Sequence, residues 1–81
     1  MIEPSWEALK VRLSNLTVKQ LRVLTSSWFV GDMGGATTKA DIIHIMLIQM
    51  ASWYRAPEQI GHGRITNVLA DLAKVERGEL W

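Results

Sequence analysis

Apolar residues recur along the chain at the three- and four-residue steps of α-helices, and no stretch makes a convincing strand. Trp6, Leu9 and Leu13 mark a first helix from about Ser5 to Leu13, with Pro4 suited to its start and Glu7 complementing the positive end of its dipole. A second helix starts at Thr17, where Thr17 and Gln20 spell a capping box and Leu16 is placed to staple it. Val18, Leu21, Leu24 and Trp28 line one face of this helix, Lys19 and Arg22 point toward solvent, and Thr25-Ser26-Ser27 weakens its end. A loop from Phe29 to Ala36 follows, carrying Gly31, Gly34 and Gly35.

The third helix begins near Thr38, which with Asp41 makes a second hydroxyl-x-x-acid start. Ile42, Ile43, Met46, Leu47, Met50 and Trp53 form a broad apolar face, and Ile45 and Ile48 widen it almost all the way round. A helix of that kind is buried or meets a partner. Pro57, Gly61 and Gly63 predict a break over Arg55 to Gly63, with Gly61-His62-Gly63 as a turn. A fourth helix is expected from Arg64 to Arg77, striped by Ile65, Val68, Leu69, Leu72 and Val75 and ended by Gly78. The expectation is one all-α domain over 1–81, a small bundle of about four helices with its last helix (64–77) folded back on the third.

Composition narrows this picture. Eighty-one residues bury a modest core, and without cysteine no disulfide or thiolate metal site can staple it. A hydrophobic content of 48% and four tryptophans, Trp6, Trp28, Trp53 and Trp81, must supply the packing; Trp28 and Trp53 fall at stripe positions and are expected in the core. The apolar run Ile42 to Trp53 is interrupted by His44 and Gln49 and falls short of the roughly 20 residues of a spanning helix. Glu3 and Pro4 stand where a secretory signal would be basic, so the chain is expected to be soluble and cytoplasmic, with no membrane contact.

The net charge of +1 argues weakly for nucleic acid, but its distribution says more. From Lys10 to Arg64 seven basic residues face three acidic ones, while both ends of the chain lean acidic. In the middle lies a short helix, a glycine loop, and a helix opening on Thr37, Thr38 and Lys39. Such an arrangement gathers free backbone N–H groups and a positive charge at one place, which suits an anion such as a phosphate.

The segment Thr17 to Met50 resembles the SAP and Rho-N-terminal-like domains, the helix–extended-loop–helix group. The matching words are LTVKQLRVL (Leu16–Leu24) and TKADIIHIML (Thr38–Leu47), in which Lys39, Ala40, Asp41, Ile42 and Ile43 follow the group's order of basic, small, acidic and two aliphatic residues. The resemblance covers about 35 residues. It implies a helix–extended-loop–helix core over 17–50 and binding of DNA or RNA, with Lys39 as the matched basic position. Thr37, Thr38 and Gly35 beside it, and Lys19 and Arg22 on the preceding helix, complete the candidate contacts. Contacts to phosphates alone make binding salt-sensitive and only weakly sequence-specific.

Other chemistry is poorly represented. Gly31 to Lys39 fails as a nucleotide-binding loop, because its lysine follows the threonines and no strand leads in. His44 and His62 lack companion ligands at metal-binding spacing. No nucleophile–base set or paired carboxylates can be read, so neither an enzyme nor a cofactor or small-molecule substrate is expected. The leading expectation is a nucleic-acid-binding module for duplex DNA. The rival is a protein-binding adaptor or inhibitor of a phage or mobile element, docking a protein partner or a second copy of itself on the apolar third helix.

Overall fold

The computed structural model describes residues 2–29, 35–56 and 58–79, with backbone alone for 58–60. Among these residues there are four helices and no strand: α1 Trp6–Ser14, α2 Val18–Trp28, α3 Lys39–Arg55 and α4 Glu58–Glu76. The hydroxyl residues that the pattern marks as starts do cap their helices. Ser5 accepts from the Ala8 N–H at 3.3 Å. Thr17 and Gln20 close a reciprocal box, the Gln20 N–H donating to the Thr17 hydroxyl at 3.1 Å and the Thr17 N–H to the Gln20 side chain at 2.8 Å. Thr38 accepts from the Asp41 N–H at 3.2 Å.

α3 is the axis of the bundle. α1, α2 and α4 all pack against it, and α2 packs against α4 as well. This central place explains its apolar circumference: Ile42, Ile43, Met46, Met50 and Trp53 are buried against Leu9 and Leu13 of α1, Leu21 and Leu24 of α2, and Ile65, Val68, Leu72 and Val75 of α4. α1 runs antiparallel to α3. Trp6 at its start meets Tyr54 edge-on, with ring centroids 6.3 Å apart, and Ser14 at its end meets Lys39. Phe29 belongs to the core rather than to the loop. It is buried and stacks on Trp53 with centroids 4.9 Å apart. Trp28 is half-buried and its indole N–H donates to Asp71 of α4 at 2.7 Å. Trp81, and Gly31 to Gly34 of the loop, lie outside the described residues.

The expected break from Arg55 to Gly63 is shorter, since α3 ends at Arg55 and α4 begins at Glu58, and Gly61, His62 and Gly63 are helical rather than a turn. α4 therefore begins at Glu58, six residues before the start expected at Arg64. Ala56 is extended, φ −74° and ψ 168°, as a residue before proline should be. The two glycines differ physically. A Cβ on Gly61 would stand 1.8 Å from the Trp53 carbonyl oxygen, so the missing side chain is what lets α4 turn back tightly against the end of α3. A Cβ on Gly63 would meet nothing. His62 secures the same corner: its Nε2 donates to the Tyr54 carbonyl at 2.9 Å, and its ring lies flat on that of Tyr54. Tyr54 offers one of the four carbonyls that the end of α3 leaves without a helical partner.

At its far end α4 closes as the sequence predicts. Gly78 takes φ 74°, its N–H bonds the Val75 carbonyl, and the Glu79 N–H bonds the Lys74 carbonyl at 2.8 Å. This is the doubly bonded Schellman ending.

Candidate functional site

Thr38 stands at the start of α3 with its hydroxyl oxygen engaged by the Asp41 N–H, and the Ile42 N–H bonds the Thr38 carbonyl at 3.0 Å. Thr37, Thr38 and Gly35 are exposed, and no atom of the described residues approaches the place where a Gly35 Cβ would be. The final approach to α3 is thus open to a ligand from the solvent side.

Lys39 does not simply point outward. It is half-buried and its ammonium donates to the Ser14 carbonyl at 2.5 Å. Ser14 is the last residue of α1, so the lysine serves the negative end of that helix's dipole. An ammonium has three donors, and a carbonyl occupies one of them without removing the charge. The contact also fixes where that charge is. Asn15, Leu16 and Thr17 alone separate α1 from α2, so an ammonium held at Ser14 lies at the same end of the bundle as the first turn of α2.

Lys19 lies in that first turn and Arg22 one turn further on, both exposed on the side of α2 opposite its buried Leu21, Leu24 and Thr25. Lys10 is exposed on α1. With Ser14 it lines a groove of about 410 Å³ whose other wall is Ala40, Asp41, Ile43, His44 and Leu47 of α3. The sequence pattern did not single out Lys10, although it stands one helical turn before Ser14.

Charge pairing follows a consistent division. Arg12 reaches from α1 to α4 and grips Glu76 with two hydrogen bonds, at 3.1 and 2.6 Å. That hydrogen bond holds the Glu76 carboxyl below its ordinary range. Arg77 pairs with Glu79 and likewise lowers its carboxyl, and Asp71 accepts from Trp28. Arg64 lies over the Trp53 ring, 5.4 Å from its centroid. Several acids are therefore engaged internally, whereas Lys10, Lys19, Arg22 and Lys39 form no ion pair among the described residues. Asp41 on the groove wall and Glu7 beside Lys10 are exposed acids of this neighbourhood that form no ion pair among the described residues.

The apolar circumference of α3 is mostly used within the bundle. Ile48 is left outside at 51% exposure, and Val11 of α1 at 61%. His44 is exposed, and no cluster of three metal-ligating side chains occurs among the described residues. No described helix is long and apolar enough to cross a membrane. The chain matches no family model, and neither the curated proteins nor the solved structures contain a match to it.

Proposed function

We propose that this chain is a small nucleic-acid-binding module that holds duplex DNA through its phosphates, using the bundle end where α1 gives way to α2 and α3 begins. One observation carries the reading: the Lys39 ammonium is anchored at the Ser14 carbonyl, bringing it to the same end as Lys19 and Lys10, and none of these cations has a carboxylate partner among the described residues. Arg22 extends the patch along α2. Thr37 and Thr38 supply exposed hydroxyls at the helix start, and Gly35 leaves the approach open. Unpaired cations at a helix N-terminus suit phosphate oxygens, and no base-reading helix is implied. Asp41 limits the strength of the patch and favours weak, sequence-tolerant binding.

The test is titration of several unrelated duplexes at increasing salt, with Lys19→Ala/Arg22→Ala beside the parent chain. Each phosphate contact contributes about 0.9 to the slope of log affinity against log salt, so the double variant is expected to flatten that slope by roughly 2. No binding at low salt, or a slope the double variant leaves unchanged, refutes the proposal. The protein-adaptor alternative draws less support, because the residues that make α3 apolar on most sides are committed to the core.

A further inference from the structure

The solvent side of α3 carries an acid in its first turn and a base in its last, with an exposed isoleucine midway between them. Asp41, His44, Ile45, Ile48, Ala51, Ser52 and Arg55, all exposed or half-exposed, run along one strip of it, with Ala40, Leu47 and Gln49 at its edges. Ile48 is the centre. Asp41 lies seven residues before it and Arg55 seven after, His44 four before and Ser52 four after, Ile45 three before and Ala51 three after. A helix rises 1.5 Å per residue, so the two charges flank Ile48 at about 10 Å on either side. Neither charge is paired among the described residues.

We propose that this strip is an isologous seam at which two copies of the chain pair through antiparallel α3 helices, with Ile48 on the two-fold axis. The argument is charge complementarity of the face with itself. An isologous contact needs one patch that complements its own image. Rotating the strip about Ile48 sets Asp41 of one copy against Arg55 of the other, twice over. It sets His44 against Ser52, and Ile45 beside the small Ala51. The seven-residue spacing keeps both charges on the side that carries Ile48, since 3.5 residues per turn is the repeat of packed helix pairs. A partner offering one sign of charge would meet repulsion at one end of the strip; a second copy offers the opposite charge at each.

One helix face covers less than the roughly 1,200–2,000 Å² of a stable interface, so the pair is a weak one, with dissociation in the micromolar range or above. Asp41 borders the cationic patch as well as the seam, and Arg55, at the other end of α3, belongs to the seam alone.

The experiment is sedimentation equilibrium of the whole chain up to about 1 mM at low salt, with circular dichroism of every variant to verify folding. The parent is expected to dimerise, and Ile48→Glu to weaken the dimer at least tenfold. Arg55→Asp weakens it similarly, and Asp41→Arg/Arg55→Asp restores it. Because the chain has no cysteine, Ile48→Cys gives one thiol per copy, and added diamide, taking up the two electrons and two protons, links the pair on the axis as a disulfide. A parent that stays monomeric over the whole range overturns the proposal. So does a dimer indifferent to Ile48→Glu, or a charge swap that restores nothing.

Discussion

Lys39 begins α3 but donates its ammonium to the carbonyl of Ser14, the last residue of α1. A lysine in the first turn of a helix stands at the wrong end of that helix's own dipole, and the end of α1 offers the favourable one. The contact therefore ties α1 to α3 as well as positioning a charge. Lys39→Met keeps the aliphatic stem and removes the donor, and it is expected to lower stability by about 1 kcal/mol. Thermal or urea unfolding measures that loss. Loss of nucleic-acid affinity in the same variant is to be scored only where circular dichroism shows it folded, which is why Lys19 and Arg22 carry the binding test.

Gly61 and Gly63 are two residues apart in α4 and should respond oppositely to alanine. At Gly61 the new Cβ would stand 1.8 Å from the Trp53 carbonyl oxygen, a backbone atom that cannot rotate away. Forcing the helices apart costs on the order of 2 kcal/mol or more, in the range of overpacked cores. At Gly63 the space is open, and alanine should stabilise by about 0.5–1 kcal/mol through helix propensity and a less flexible unfolded chain. Equal effects of the two substitutions in a denaturation series would mean that the close α3–α4 approach is wrong.

These two glycines also mark where sequence reasoning fell short. Starts were legible because capping is local: Ser5, Thr17 and Thr38 each bond an N–H three residues on. The core stripes were legible because burial follows helical spacing. Gly61 was misread because a glycine that breaks a helix and a glycine that admits a neighbouring backbone look alike in one dimension, and only the α3–α4 crossing separates them. The start of α4 is signalled in the sequence by Pro57 followed by Glu58, a proline and then an acid at a helix's positive end. At the candidate site, the Thr38 cap was readable, whereas the Lys39–Ser14 contact joins residues 25 apart in the chain. Lys10 becomes part of the site through that tertiary contact alone. Likewise, the symmetric spacing about Ile48 is written in the sequence, but which side of an almost uniformly apolar helix faces water depends on where α1, α2 and α4 pack.

The Arg12–Glu76 pair joins α1 to the last turn of α4 and should make stability depend on acid. Its hydrogen bond with Arg12 lowers the Glu76 carboxyl below its ordinary 4.5 in the folded chain. A carboxyl depressed by folding contributes in full above that ordinary value, and the contribution is lost as pH falls through the folded value. Both side chains are partly exposed, which holds the effect to within about 1 kcal/mol. Glu76→Gln should lower stability at neutral pH and leave it nearly unchanged, relative to the parent, at pH values where Glu76 is already protonated. A difference between parent and variant that stays constant down to the acid limit would show that the pair contributes packing rather than charge.

Trp28 and Asp71 link α2 to α4 through a part-buried hydrogen bond, the indole N–H donating to a carboxylate oxygen at 2.7 Å. The bond matters beyond its own energy, because Phe29, the next residue, must enter the core and stack on Trp53 before the chain turns toward α3. Trp28→Phe removes the donor and some of the aromatic area, and Asp71→Ala removes the acceptor. A double-mutant cycle separates packing from hydrogen bonding, and the coupling between the two sites is expected at about 1–2 kcal/mol, as for bonds to a charged group. A coupling near zero would mean that the indole rests on α4 by apolar contact alone. In that case the end of α2, and with it the path into α3, is set by the burial of Phe29.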